Sequence, residues 1–267
     1  MWAKLQKTKL ITIFVPKLVF LNMTIDINSS YKKLTPFINR LPELFETEGE
    51  TIYKARNEIK VFTVEGEKVV VKAFKVPHII NQIAYSLFRP SKALRSYRYA
   101  LELQKRGFLT PTPIAYIQLF EGVLLKRSFY VSGYTEGVTM RREFNYNYSL
   151  TEHIAYILKA FATYTARLHD AGIYHLDYSN GNILYTEEGG DLLFELVDLN
   201  RIRFKKVTAE MGWKSFHRLD FSLEMLEIAA REYALQRHLD VEESIVKITA
   251  YNLRTMKPIP IHSVKQG

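Results

Sequence analysis

Across residues 48–74 apolar and polar side chains alternate with the two-residue period of half-buried strands. Ile59-Lys60-Val61-Phe62-Thr63-Val64 leads through Glu65-Gly66-Glu67 into Val69-Val70-Val71-Lys72-Ala73-Phe74. Gly66 stands where a tight hairpin needs a residue that accepts positive φ. The period then lengthens. Over residues 91–106 the apolar positions Leu94, Tyr97, Ala100, Leu101 and Leu103 recur at helical spacing, and Gly107 follows as a C-cap. Pro111-Thr112-Pro113 bars helix and opens a second strand region, residues 114–134, with a turn at Glu121-Gly122.

After Tyr134-Thr135-Glu136-Gly137 the pattern becomes helical. Ser149-Leu150-Thr151-Glu152 reads as a capping box. Ile154, Ile157, Leu158, Phe161 and Leu168 fall on one face of the following helix, which Gly172 ends. Short strands are expected at residues 183–185 and 192–197, and mostly helix over residues 209–253. The outline is an α+β chain: a β-rich first lobe with one main helix (residues 23–134), a short hinge, and a mostly helical second lobe (residues 135–267).

At 267 residues and 47% hydrophobic, the chain can bury the cores of one large domain or two smaller lobes. No stretch has the ~18 uninterrupted apolar residues of a membrane helix; the nearest, residues 10–21, is broken by Pro16 and Lys17. With no cysteine, disulfides and thiolate metal sites are excluded. The net charge of +9 suits anionic partners such as nucleotides or an acidic membrane face, and equally suits an excess of surface lysine. The 17 Tyr and 16 Phe are spread through core positions and not interleaved with a basic patch, which argues against nucleic acid. Residues 1–22 differ from the rest: Lys4, Lys7 and Lys9 precede the interrupted apolar run, with no small-residue cleavage site after it. A basic membrane-surface segment, a signal-like segment and an upstream start codon all fit, and we take Met23 as the expected start.

The chemistry is concentrated in His175-Leu176-Asp177-Tyr178-Ser179-Asn180-Gly181-Asn182, with Asp198 sixteen positions further on at the end of an apolar run. Asp177 is placed as a general base that takes the proton of an acceptor hydroxyl. Asn182 offers a neutral carbonyl oxygen and Asp198 a carboxylate, a donor set that suits magnesium on a nucleotide's phosphates. His175 stands with Asp177 in the catalytic loop, as an imidazole that bonds backbone and holds the loop in shape. A zinc site on His175 and Asp177 lacks further ligands. Lys72, after three valines, either edges a strand toward water or points at phosphates. As a phosphate clamp it needs a carboxylate partner, and Glu102 is the single acid of the 91–106 helix. Lys54-Ala55-Arg56-Asn57-Glu58 stands where a glycine-rich phosphate loop is expected but has no glycine: either Arg56 and Asn57 replace the backbone cradle, or it is a plain hairpin tip. Ser179, Arg201 and Arg203, with Lys205 and Lys206 beyond, could meet an acidic acceptor or an anionic membrane surface.

Together Lys72, the H-x-D-x-x-x-x-N loop of His175, Asp177 and Asn182, and Asp198 resemble the kinase superfamily. Within it the chain resembles the lipopolysaccharide inner-core kinases, above all the Kdo kinase group, where Kdo is the eight-carbon acidic sugar attached to lipid A. The resemblance covers about residues 48–206. It rests on Leu168-His169-Asp170-Ala171-Gly172-Ile173-Tyr174-His175-Leu176-Asp177, Asn182-Ile183-Leu184, Val197-Asp198-Leu199-Asn200-Arg201 and the Gly107…Thr110-Pro111-Thr112-Pro113 stretch. It implies a two-lobed protein-kinase-like fold, ATP and Mg2+, a lipid A–Kdo type glycolipid acceptor, peripheral contact with an anionic membrane, and work at the cytoplasmic face of the inner membrane. No nucleic acid and no obligate protein partner are implied. A protein kinase would have arginine at Leu176, lysine at Ser179, Phe-Gly at Leu199-Asn200, and more chain after Asp198, departures that point to a small carbohydrate acceptor. The alternatives are a phosphotransferase of the aminoglycoside-kinase type, whose acceptor cleft would be acidic, and a pseudokinase binding module.

Overall fold

The computed structural model describes residues 11–13, 21–75, 90–144 and 149–254. Strands β1 (Ile11–Ile13), β2 (Leu21–Ile27), β3 (Glu50–Lys54), β4 (Glu58–Val64), β5 (Glu67–Phe74), β6 (Pro113–Glu121) and β7 (Leu124–Gly133) form a seven-stranded sheet in the order β1-β2-β6-β7-β5-β4-β3. Every neighbouring pair is antiparallel. Val64 pairs with Glu67, so Glu65 and Gly66 alone make the β4–β5 turn. Their φ values of 52° and 80° are those of a type I′ hairpin, whose twist matches that of the strands. Gly122, at φ 56°, takes the first of two turn positions between β6 and β7.

Helix α1 (Thr35–Thr47) covers one face of this sheet, so the described residues of the first lobe carry a second helix besides the one main helix expected. Its two prolines hid it: Pro36 sits in the first turn, where its missing N–H costs nothing, but Pro42 lies inside the helix. Ile38, Leu41, Leu44 and Phe45 nonetheless recur on one face and pack on Phe62, Val69, Val71, Ile117, Phe129 and Val131. Buried Lys60 closes the helix, donating from Nζ to the carbonyls of Phe45 (2.7 Å) and Glu48 (3.0 Å).

Helix α2 (Lys92–Lys105) follows the expected limits closely. Ser91 Oγ accepts from Leu94 N, and the N–H groups of Gly107 and Phe108 return to Gln104 and Leu103, the Schellman closure that Gly107 at φ 78° permits. Its Ala93 and Tyr97 pack on Phe74 and Tyr116. These alternate with the residues that meet α1, so α2 lies on the opposite face, the face onto which Lys72 projects.

The remaining elements are β8 (Val138–Thr139), α3 (Met140–Glu143), α4 (Glu152–Asp170), β9 (Ile173–His175), β10 (Ile183–Glu188), β11 (Asp191–Leu196), β12 (Ile202–Phe204), α5 (Ala209–Ser215), α6 (Leu223–Gln236) and α7 (Val241–Leu253). They make two small sheets, β11-β10-β8 and β12-β9, and a helical layer. Phe161 of α4 is the hub of the core, with ring centroids 5.9 Å from Tyr178, 6.0 Å from Phe194 and 5.9 Å from Phe221. The cap of α4 is Thr151, which accepts from Ile154 N at 3.2 Å, and not Ser149 two residues earlier. Thr151 directly precedes Glu152, the first residue of the helix.

The chain divides into two compact units, Met1–Glu136 with Val197–Asn200, and Gly137–Leu196 with Arg201–Gly267. The short excursion at residues 197–200 is absent from a division at 134/135. Lys4, Lys7, Lys9, Pro16 and Lys17 lie outside the described residues, and Met23 falls inside β2 with its side chain in the core. Among the described residues no helix is long and apolar enough to cross a membrane.

Candidate active site

In the first unit the side chains of Lys72 and Asp198 meet. Lys72 lies in the middle of the sheet, registered against Ile59 on β4 and Tyr130 on β7, so its backbone is fixed on both sides. Its Nζ donates to Asp198 Oδ1 at 2.7 Å, with both side chains largely covered. The same oxygen accepts from Asn200 Nδ2 at 2.6 Å, and Asn200 in turn accepts at its carbonyl from Arg95 Nη1 of α2 at 2.9 Å. Asp198 has φ 55°, a left-handed conformation that Asp and Asn tolerate better than other side chains. Lys92, at the start of α2, is half-buried. Burial pushes its ammonium pKa down, nearby Arg56, Arg95 and Lys72 reinforce this, and Asp198 opposes it. Lys72 bonded to Asp198 and Lys92 within its electrostatic reach form a basic setting suited to polyphosphate.

In the second unit β9 delivers His175 into a loop tied down from within. Buried His175 accepts at Nδ1 from the N–H of Asp177 at 3.0 Å, so the ring proton sits on Nε2. Asn182 Nδ2 donates to the Asp177 carbonyl at 2.8 Å, which leaves the Asn182 carbonyl oxygen turned away from this bond. Asn182 N closes a turn on the Ser179 carbonyl at 2.8 Å, and buried Asn180 donates to the Phe144 carbonyl at 3.2 Å. Buried Tyr178 shares a 2.8 Å hydrogen bond with Thr165 of α4. The Asp177 carboxylate receives two guanidiniums, Arg201 Nη1 on Oδ2 at 3.1 Å and Arg218 Nη1 on Oδ1. Arg141 N donates to the Asn180 carbonyl at 3.0 Å and its guanidinium lies over Gly181, where an added Cβ would come within 3.2 Å of it.

A family model for the lipopolysaccharide kinase (Kdo/WaaP) family matches residues 47–238. The chain belongs to this family. It is therefore a lipopolysaccharide kinase, a phosphotransferase that acts on a sugar hydroxyl. No curated protein sequence matches it. Among solved structures it resembles WaaP in complex with acyl carrier protein, at TM-score 0.61 and 15% identity over 87% of this chain and 99% of that one. It also matches the Rio2 kinase of Chaetomium thermophilum, at TM-score 0.47 and 13% identity over 90% of this chain and 71% of that one. The expected protein-kinase-like fold is the fold of this lipopolysaccharide kinase.

One expected pairing is corrected. Glu102 does not hold Lys72: its carboxylate accepts from Arg106 Nε at 2.8 Å one turn along α2, while Lys72 pairs with Asp198. The helix leaves Glu102 partly exposed beside an arginine at the favoured i,i+4 spacing. Arg56 stands exposed at the β3–β4 tip, where Ala55 N bonds the Asn57 carbonyl at 3.0 Å and Lys54 pairs with Glu58 at 3.2 Å. Asn57 Oδ1 accepts from Lys75 N at 3.3 Å, so this segment is a closed hairpin in the lipopolysaccharide kinase. Arg203 is exposed on β12 and donates to the Ile202 carbonyl at 3.1 Å. Three basic residues escaped sequence reasoning: Lys92, Arg141 and Arg218. Lys92 had a readable signal, a lysine directly after a helix-capping serine; Arg218 had none, since it reaches Asp177 across 41 positions.

Proposed function

We propose that this lipopolysaccharide kinase transfers the γ-phosphoryl group of ATP to a hydroxyl of Kdo, or of a related acidic inner-core sugar on a lipid A precursor. Asp177 is the base. As the acceptor oxygen bonds to the γ-phosphorus and the bond to the β–γ bridging oxygen breaks, the hydroxyl proton passes to Asp177 and ADP departs with the bond's electron pair. His175 and Asn182 hold the Asp177 backbone so that its carboxylate stays at the hydroxyl. Lys72 steadies the phosphates from its fixed strand position.

Asp198 and Asn182 fit a magnesium ion by chemistry: one carboxylate and one amide oxygen, with phosphate oxygens and water completing the shell. Bound there, the ion would neutralise charge on the phosphates during transfer.

The observation that carries the acceptor assignment is the pair of guanidiniums on Asp177. A base flanked by Arg201 and Arg218 suits a sugar that brings its own carboxylate or phosphate, and repels a cationic aminoglycoside. Such an acceptor lies at the cytoplasmic face of the inner membrane, where the chain's positive surplus favours peripheral contact with anionic lipid. The test is incubation of the purified protein with labelled ATP and Kdo–lipid A: label is expected on the sugar. Folded protein that binds ATP yet never labels this glycolipid overturns the assignment.

A further inference from the structure

We infer that Arg218 is a specificity residue that recognises an oxyanion of the acceptor and, until that anion arrives, holds the base engaged. The inference rests on the proposed role of Asp177. Both carboxylate oxygens of Asp177 are occupied, Oδ2 by Arg201 and Oδ1 by Arg218. Two guanidiniums take two of the carboxylate's roughly four lone-pair sites, so an incoming hydroxyl meets a crowded base until one of them turns away. The arginines are free to turn: their side chains are 48% and 45% exposed, against 18% for Asp177.

The backbone that carries Arg218 is built, not loose. Arg218 ends a short 3-10 turn, Phe216–Arg218, whose Phe216 side chain is fully buried. Buried Asn252 of α7 donates from Nδ2 to the carbonyls on both sides of it, Phe216 at 2.9 Å and Leu219 at 2.7 Å. His217 is turned back onto the Lys214 carbonyl at 2.7 Å and lies within electrostatic reach of Asp177. The fold therefore anchors the Cα of Arg218 and leaves its guanidinium in solvent beside the base.

An acceptor carboxylate or phosphate next to the reacting hydroxyl offers that guanidinium an equal bidentate partner. Its transfer to the acceptor frees Asp177 Oδ1 for the hydroxyl proton, so base release and acceptor recognition become one event. Water brings no such anion, which keeps acceptor-free ATP hydrolysis low.

The experiment compares wild type, Arg218→Gln and Arg218→Lys on three acceptors: Kdo–lipid A, the same glycolipid with the Kdo carboxylate reduced to an alcohol, and the same with the lipid A phosphates removed. ATP hydrolysis without acceptor is measured alongside. For Arg218→Gln the expected result is an acceptor KM about 10- to 100-fold higher with ATP KM unchanged. That loss should shrink on whichever modified acceptor lacks the anion Arg218 reads, which separates carboxylate from phosphate. Acceptor-free hydrolysis should rise severalfold, and Arg218→Lys should recover part of the acceptor KM. Equal losses on all three acceptors, or a change in ATP KM instead, overturn the inference. If wild type labels none of the acceptors, the acceptor assignment falls, and acceptor-free hydrolysis alone decides: a rise in Arg218→Gln supports the restrained base, and no rise refutes it.

Discussion

Lys72 Nζ and Asp198 Oδ1 lie 2.7 Å apart across 126 positions of the chain, and Asn200 shares the same carboxylate oxygen. The ammonium comes from a strand held on both sides, while the carboxylate sits in a left-handed turn tied to α2 through Asn200 and Arg95. Lys72→Met, which keeps the stem and removes the charge, should lower phosphoryl transfer by ~10²–10³ while leaving the fold intact. Steady-state kinetics and a thermal melt on the same sample check this; full activity would remove Lys72 from the phosphate site.

Asp177→Asn keeps the loop's shape and removes the proposed base. Transfer should fall by ~10²–10⁴ with ATP binding unchanged, as read by calorimetric titration. His175→Phe acts differently, because it leaves the Asp177 N–H without its acceptor in a largely covered loop. Stability should drop by about 1–3 kcal/mol in urea titrations, together with the rate.

Chelation of magnesium should abolish transfer and its restoration should recover it. In Asn182→Ala the loop loses its bond to the Asp177 carbonyl and the proposed metal its amide ligand. Half-maximal rate should then need ~10-fold more magnesium. An unchanged magnesium titration would place the ion elsewhere.

His169 is buried against Tyr233, 2.9 Å from its hydroxyl, and burial with Arg237 close by pushes its pKa from 6.5 down to about 3. The unfolded chain therefore takes up this proton first as pH falls. The stability that the neutral ring contributes is complete above about pH 6.5 and is lost progressively toward about pH 3. In that window the slope from this group is ~1.4 kcal/mol per pH unit. Urea titrations at about pH 7 and about pH 5 should show a smaller pH difference for His169→Gln than for wild type; equal differences would count against a neutral buried ring.

Gly212 packs against the same network. A Cβ there would lie 2.0 Å from the Tyr233 hydroxyl and 2.9 Å from Arg237 Nη1, an overlap that must move a buried tyrosine. Gly212→Ala should cost at least ~1–3 kcal/mol despite its higher helix propensity. A melt at or above wild type would show that the ring can shift freely.

Much of the fold was legible because its signals are local. The hairpin at Glu65-Gly66, the Ser91 cap and the Gly107 closure each involve residues within about one helical turn of each other. Helix α1 was not legible, since Pro42 breaks the pattern locally while the buried stripe of Ile38, Leu41 and Phe45 stabilises it through the sheet. The α4 cap is Thr151 and not Ser149: the local pattern offers two hydroxyls within three residues, and the folded chain uses the second.

By itself the sequence determined the two strand-and-helix regions and the spacing of His175, Asp177 and Asn182, because a loop seven or eight residues long is shaped by its own hydrogen bonds. Only the tertiary structure decided that Lys72 meets Asp198 while Glu102 turns to Arg106, and that Arg218 reaches Asp177. Ion pairing depends on which side chains packing brings within a few ångströms. A lysine's composition and neighbours are the same whichever carboxylate the folded chain places in front of it.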